Sequence, residues 1–127
     1  MSGFYMSQEK RIEIVLPLPP SVNSLWRTGP NGRVYVAPRY KVWKTSAAWE
    51  IAAQARGQKI KGEYRMILRA VPPDARKRDL DNLLKAASDV LQAAGVIEND
   101  HYCRELIASW ETEGPQCRII VEAISPP

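Results

Sequence analysis

The segment 80–94 places its apolar residues at the spacing of an α-helix. They recur three or four residues apart over four turns, and they are Leu80, Leu83, Leu84, Ala87, Val90, Leu91 and Ala94. Gly95 follows, and glycine is the preferred residue just beyond a helix C-terminus. The pattern predicts an amphipathic helix that buries one face against the rest of the fold.

Four other segments are predicted to be β-strands, and in two of them, 11–16 and 64–70, apolar residues alternate with polar ones as in a half-buried strand. The four segments span 11–16, 64–70, 105–111 and 117–124. A further helix is predicted over 38–55, where Pro38 opens a run of apolar residues at helical spacing and Gly57 ends it. The segment 33–36 is expected to be extended and to pair back as a hairpin across the turn 29–32.

The order strand, helix, strand, helix, strand, strand predicts an α/β (α+β) fold. It would hold a small mixed β-sheet with two helices packed mainly on one face. A length of 127 residues fits one domain. We therefore expect a flexible N-terminal tail over 1–10 and a single domain over 11–127.

Neither a membrane span nor a zinc site is expected. No apolar run approaches the ~18 residues that cross a bilayer, and no signal peptide opens the chain. Cys103 and Cys117 lack the spacing of metal ligands, and His101 is the one histidine of the sequence. A cytoplasmic location is expected, in which case the two cysteines are predicted to remain thiols.

Charge is distributed unevenly along the chain, although the net charge is only +4. Between 27 and 78, thirteen Lys or Arg residues stand against three acids, whereas between 79 and 113 eight acids stand against two cations. A basic half followed by an acidic segment suggests a polyanionic partner and a place to hold a cation. Two differently charged solvated faces would explain the same distribution.

Asp79 and Asp81 stand at the predicted start of the second helix. Asp79 is at the expected N-cap, where a carboxylate accepts hydrogen bonds from helix amides. Asp81 and Lys85 are four residues apart and share the face opposite the apolar stripe. A cap and an Asp81–Lys85 ion pair account for these residues in structural terms, but one carboxylate suffices for a cap. The second carboxylate suggests a site for a hard cation such as Mg²⁺, which takes oxygen ligands.

A third carboxylate is within reach of this pair. The helix is ~20 Å long at ~1.5 Å per residue, and the steps from Ala94 to Asp100 span a similar distance if they are extended. The segment 98–100 is therefore able to return beside Asp79 and Asp81, or to serve a partner subunit.

Four stretches of the chain form a combined pattern: PPSVN at 19–23, RDLDNLLKA at 78–86, DVLQAAGVI at 89–97 and END at 98–100. D-x-D alone is common, but R-D-x-D-N-x-x-K with an aspartate fifteen residues later is specific. In this combination the chain resembles the RusA-type Holliday-junction resolvases, and the resemblance extends from the first strand to the last.

The resemblance implies a homodimeric endonuclease that depends on Mg²⁺, with Mn²⁺ as a substitute. Such an enzyme nicks four-way junction DNA symmetrically in recombination and repair, and would be encoded by a bacterium, a phage or a prophage. Carried over by position, the metal-binding carboxylates are Asp79, Asp81 and Asp100, and the essential lysine is Lys85. The acidic residue usual before Asp100 in the family is replaced here by Asn99.

Basic residues near the acid pair and in the N-terminal half are candidate phosphate contacts. They are Arg76, Lys77, Arg78, Arg27, Arg33 and Lys44. Trp26 and Tyr35 are candidates for stacking on an unpaired base, although buried loop aromatics are more common. Trp43 and Trp49, on the first helix, are predicted to be core or dimer contacts, and His101 is left out of the catalytic set.

Two other functions stay open at this point. In a non-catalytic nucleic-acid-binding module, the acids would only cap the helix and balance charge. A metal-dependent nuclease acting on other nucleic acids, such as branched flaps or RNA, would use the same carboxylates. Mg²⁺-dependent nicking of a four-way junction excludes the first alternative, and competition with linear duplex or single strands tests the second.

Overall fold

The structure is a computed structural model that describes residues 10–20, 26–36, 38–75 and 79–124; for 26–28 and 34–36 only the backbone is described. Its elements are β1 (Arg11–Leu16), β2 (Trp26–Thr28), β3 (Val34–Val36), α1 (Pro38–Ala55), β4 (Tyr64–Ala70), α2 (Leu80–Ala93), β5 (Cys103–Trp110) and β6 (Cys117–Ala123), with a 3₁₀ turn (Asp100–Tyr102) before β5.

The predicted α+β fold is confirmed. β5 begins two residues earlier than expected, and Trp26 lies on a short strand where a loop was expected. The tail predicted over 1–10 lies outside the described residues except for Lys10.

Four strands form one mixed sheet in the order β1-β6-β4-β5. β4 and β5 are parallel, whereas β6 is antiparallel to both β1 and β4. α2 connects the parallel pair, because parallel neighbours need a long crossover. β2 and β3 form a separate antiparallel hairpin, as predicted. Among the described residues, no helix has the length and apolarity needed to cross a membrane.

Both helices cover the same face of the sheet. Every second residue of β1 and β4 is buried, and the apolar stripes of α1 and α2 join these residues in one core cluster. The largest fully buried side chains of the cluster are Tyr64, Ile14, Leu16, Ile51, Ile60, Met66, Leu68, Leu91, Ile97, Ile119, Val90 and Val96. The strand period of two and the helix period of 3.6 thus direct their apolar residues into a single interior.

α1 is fixed to the edge strand β1 by two polar side chains. The amide group of Gln54 accepts from the Val15 N–H at 2.7 Å and donates to the Val15 carbonyl at 2.8 Å. Trp43 Nε1 donates to the Pro17 carbonyl at 2.9 Å. Because an edge strand exposes unpaired backbone groups, Gln54 satisfies two of them in place of a neighbouring strand.

The opposite face of the sheet is covered by arginines and glutamates that pair across the strands. Arg65 on β4, for example, contacts both Glu105 on β5 and Glu122 on β6. The ion pairs of this face are Arg11–Glu13, Arg11–Glu122, Arg65–Glu105, Arg65–Glu122, Arg69–Glu111 and Arg118–Glu13. Partly exposed pairs add little stability, but they leave this face nearly neutral.

Both cysteines are free thiols. Cys117 is fully buried at the start of β6, and burial raises the pKa of its thiol from 9.0 to about 12. The thiol therefore stays protonated inside the core at neutral pH.

We expect Cys117 to make the fold sensitive to alkaline pH. An acid whose pKa is higher in the folded state stabilises the fold below its unfolded pKa, and that stability is lost as pH rises from about 9 towards about 12. At roughly 1.4 kcal/mol per pKa unit the loss amounts to a few kcal/mol. Urea unfolding of the wild type and Cys117→Ala across this pH range measures the effect. The variant should lose less stability than the wild type, and parallel curves would contradict the assignment.

Candidate functional site

Asp79 is the N-cap of α2, as predicted. Its backbone is extended, with φ −104° and ψ 120°, and its Oδ1 accepts a hydrogen bond from the Asp81 N–H at 3.1 Å. Its carbonyl accepts a bond from the Asn82 N–H at 3.2 Å. The cap therefore fixes the orientation of the carboxylate, while the second oxygen, Oδ2, is left out of the capping bond.

Asp81 and Lys85 lie one turn apart on the outer side of α2, and both are exposed. Within the described part of the chain, no ion pair joins them. The simple structural explanation, in which Lys85 serves as the partner of Asp81, is therefore not met. Both groups face solvent with their charge available to a ligand.

The outer stripe of α2 consists of Asp81, Lys85, Ser88 and Gln92, which follow at i, i+4, i+7 and i+11. It lies opposite Leu83, Ala87 and Val90, which are at most 3% exposed. The burial of the apolar stripe thus presents all four polar side chains on the side away from the sheet.

Asp100 comes back to this same stripe. Its N–H donates to Gln92 Oε1 at 3.2 Å, and the 3₁₀ turn that contains it is capped by Asn99, whose Oδ1 accepts from the His101 N–H at 3.0 Å. The preceding residue, Glu98, is engaged elsewhere, because its Oε1 accepts from the Gly62 N–H at 2.6 Å. Glu98 is therefore occupied in holding the returning segment.

The backbone of Asp100 is held near the C-terminal end of α2. Gln92 is eleven residues beyond Asp81, about 16 Å along the helix axis. The hydrogen bond to Gln92 therefore holds the backbone of Asp100 beside the C-terminal half of α2, whereas Asp79 caps the other end of the helix. Among the described residues, no three acidic, His or Cys side chains are gathered to hold one ion. Asp79 and Asp81 are brought together, and Asp100 joins their side of the helix at its far end.

The carboxylates at the start of α2 fit a hard divalent cation. Mg²⁺ is usually bound by one or two carboxylates and completes its octahedron with waters and substrate phosphate. Asp79 and Asp81 are exposed, adjacent and outside every ion pair between described residues. This pair therefore supplies the donor set that such an ion requires.

A buried tyrosine lies beside Asp100 and was not singled out from the sequence. Tyr64 is fully buried, and its hydroxyl has no hydrogen-bond partner in the described structure. Burial raises the pKa of Tyr64 above its usual 10.0, and the neighbouring Cys103 and Asp100 raise it further. The strand period predicts a buried residue at this position, but its proximity to Asp100 arises from the parallel pairing of β4 with β5.

The predicted phosphate contacts are only partly described. Arg76, Lys77 and Arg78 lie outside the described residues, as do the side chains of Arg27, Trp26 and Tyr35. Arg33, at the hairpin turn, and Lys44, on α1, are exposed and form no ion pair with a described residue. Trp43 is in the core, as predicted, whereas Trp49 is 75% exposed.

The sheet, the capped crossover helix and its paired carboxylates define a small α+β protein with an acidic helix N-terminus. The family model described as "Endodeoxyribonuclease RusA" matches residues 17–122. The chain therefore belongs to the RusA family, and the resemblance predicted from the motifs is confirmed.

Proteins named as crossover junction endodeoxyribonuclease RusA are similar to most of the chain. The one from Aquifex aeolicus is 36% identical over 104 residues, which are 80% of this chain and 81% of that protein. The one from Enterobacteria phage HK97 is 34% identical over 88 residues, covering 69% and 72%. The one from Escherichia coli strain K12 is 35% identical over 82 residues, covering 65% and 68%.

Substitution of Asp79 separates capping from cation binding. Asparagine caps a helix about as well as aspartate, so Asp79→Asn should unfold like the wild type within a few tenths of a kcal/mol. Asp79→Ala should lose about 0.5–2 kcal/mol. Both variants remove a ligand charge, so both should weaken Mn²⁺ binding in a calorimetric titration. A loss of stability in Asp79→Asn as large as in Asp79→Ala, or unchanged Mn²⁺ affinity in both, would contradict these roles.

Proposed function

We propose that this protein is a Mg²⁺-dependent endonuclease that resolves four-way DNA junctions by paired symmetric nicks and acts as a homodimer. Family membership and the names of its relatives support the reaction. Those relatives come from bacteria and a phage, and a bacterial cytoplasm is the setting proposed for this chain.

The observation that carries the proposal is the exposed pair Asp79 and Asp81 at the start of α2, with Lys85 one turn beyond. A helix N-terminus attracts phosphate through its free amides and its dipole. Two carboxylates at that position would repel DNA unless a cation lay between them and the phosphate. A bridging divalent cation resolves this conflict.

Each residue has a distinct role in the proposed chemistry. Asp79 and Asp81 would hold the cation, and the capping bond of Asp79 keeps its carboxylate in a fixed orientation. When bound, such a cation activates water and stabilises the negative charge of the transition state. Lys85, which has no acidic partner among the described residues, neutralises charge that develops on the phosphate.

Asp100 is proposed as the third carboxylate of the site. It lies on the outer side of α2, held at its backbone by Gln92. Its carboxylate would add an oxygen donor to those of Asp79 and Asp81, which is the ligand type that Mg²⁺ prefers.

A homodimer follows from the symmetry of the proposed substrate. A four-way junction has approximate two-fold symmetry, and two opposed nicks require two sites related by the same axis. One subunit carries one outer stripe of α2 and therefore one site.

The decisive experiment is cleavage of a synthetic four-way junction, mapped at nucleotide resolution, with and without Mg²⁺. We expect paired nicks in the wild type and none in Asp81→Asn, which still binds the junction because only a ligand charge is removed. Linear duplex, single strands and flaps serve as competitors. Binding without nicking by the wild type would favour a non-catalytic module, and equal cleavage of flaps would favour a broader nuclease.

Lys85→Met tests the catalytic role of the lysine. Since Lys85 has no ion-pair partner among the described residues, its loss should leave the melting temperature nearly unchanged. Loss of a group that stabilises transition-state charge costs about 10²–10³-fold in rate. We therefore expect single-turnover cleavage at least about 100-fold slower, with junction affinity retained.

Lys61→Met is the matched control, because Lys61 is an exposed lysine without an ion pair among the described residues and lies off α2. It should cleave at the wild-type rate. A Lys85→Met rate within a few-fold of the control would remove this lysine from the chemistry.

A further inference from the structure

The outer face of α1 carries an exposed tryptophan that the fold does not use. Trp49 is 75% exposed and Val42 is 68% exposed, and they have the two highest values among the exposed large apolar residues described. An open groove of about 570 Å³ lies beside Trp49, lined by Lys41, Lys44, Thr45 and Ala48. We call Lys41, Val42, Lys44, Thr45 and Trp49 the α1 outer face.

The orientation of α1 turns this face towards the side of the molecule that carries the outer stripe of α2. Trp43 and Gln54 fix one flank of α1 to β1. With 3.6 residues per turn, Lys41 and Lys44 fall on the other flank, which faces α2. Both helices cover the same face of the sheet, so their outer sides look in the same direction.

The first turn of α1, where the α1 outer face begins, lies beside α2. Tyr40, in the first turn of α1, lies beside Asp89 of α2. Burial raises the pKa of Tyr40, and the negative charge of Asp89 raises it further. Asp89 is eight residues beyond Asp81, about 12 Å along the axis, and packed helices are 8–10 Å apart. Tyr40 is therefore about 15 Å from Asp81, and Trp49 lies nine residues, about 13 Å, further along α1.

The charges of this face favour a polyanion over a second copy of the chain. Lys41 and Lys44 are exposed and have no ion pair with any described residue, whereas the arginines of the open sheet face are neutralised by glutamates. The one acid of α1, Glu50, lies on the other flank and accepts a hydrogen bond from Gln54. Two such faces brought together would juxtapose lysines with no carboxylate between them.

We propose that the α1 outer face is a second contact surface for junction DNA. Trp49 stacks on a base that is unpaired at the crossover, and Lys41 and Lys44 contact the adjoining phosphates. A cationic groove beside an aromatic platform is the usual means of holding an unpaired strand. This inference rests on the proposed function, since it takes the junction as the ligand.

Substitution of Trp49 tests the stacking. Junction affinity is measured in Ca²⁺, where binding is followed without turnover. Trp49→Ala should weaken binding by roughly 5- to 150-fold, and Trp49→Phe, which keeps an aromatic ring, should weaken it less. Since Trp49 is exposed, both variants should melt like the wild type. Equal affinity of Trp49→Ala and the wild type would overturn the proposal.

The lysines are tested through the salt dependence of binding. Lys41→Ala with Lys44→Ala should lower the slope of log affinity against log salt by roughly 1.8, at about 0.9 for each lost phosphate contact. The control is Lys59→Ala with Lys61→Ala, which removes the same charge beyond the other end of α1. The control slope should match the wild type, and equal slopes in both double variants would overturn the proposal.

Sedimentation without DNA tests whether a second copy of the chain, and not DNA, binds the α1 outer face. A wild-type dimer that becomes monomeric in Trp49→Ala would assign this face to subunit association and overturn the proposal. Failure of the proposed function gives a different result, namely junction binding that depends on Trp49 with no nicking in Mg²⁺. If the wild type nicks the junction but substitution of Trp49, Lys41 and Lys44 leaves junction affinity unchanged, the proposed function stands and the α1 outer face is not a DNA contact.

Discussion

The burial of the apolar stripe of α2 is the interaction on which the candidate site depends. Leu83, Val90 and Leu91 are almost fully buried, and burying one such side chain contributes about 1.5–3 kcal/mol. Rotating the helix enough to hide Asp81 or Lys85 would expose these side chains. Because α2 also connects two parallel neighbouring strands, it has no freedom to leave the sheet. The solvent-facing position of the polar stripe is therefore a consequence of core packing.

The two sides of the sheet differ in whether their arginine and lysine side chains are paired with carboxylates. On the open side, Arg65 lies between Glu105 and Glu122, and its neighbours are paired in the same way. On the helical side, Lys41, Lys44 and Lys85 have no carboxylate partner within the described part of the chain. Arginines and lysines thus contribute unequally to the field around the molecule, although the sequence counts them alike. Among these described residues, the cations without a carboxylate partner are the lysines on the helical side.

Most of the fold could be predicted from the sequence because its elements follow simple periods. The alternation in 64–70 and the helical spacing in 80–94 give β4 and α2 almost to the residue, and Asp79 and Gly95 mark the ends of α2. The position of Asp100 could not be predicted, because chain length shows only how far the segment 94–100 is able to extend and not where it packs. Asp100 is positioned by three hydrogen bonds: its own N–H donates to Gln92, the His101 N–H donates to Asn99, and the Gly62 N–H donates to Glu98. One of these contacts joins residues far apart in the sequence and another lies within a single turn, so a periodic pattern of apolar residues does not predict them.

Trp49 illustrates the opposite difficulty. The sequence predicts a core or dimer contact for Trp49, yet the buried side of α1 is formed by Tyr40, Trp43, Ala47, Ile51 and Ala55. A helix with apolar residues on both sides gives a weak periodic signal. The hydrogen bonds of Gln54 and Trp43 hold α1 against β1, and Trp49 lies on the side turned away from the core.

The N-terminus of α2 imposes a coupling between cation and phosphate under the proposed function. The helix dipole places about half a positive charge at that end, which favours the carboxylates of Asp79 and Asp81 and opposes a cation held by them. A DNA phosphate at the same end is attracted by the helix, by the cation and by Lys85, and it supplies the negative charge that offsets the dipole. Cation and DNA therefore strengthen each other's binding by the same factor, as thermodynamic linkage requires. A site of this kind needs only two carboxylates of its own before the substrate arrives, and the first turn of α2 presents two.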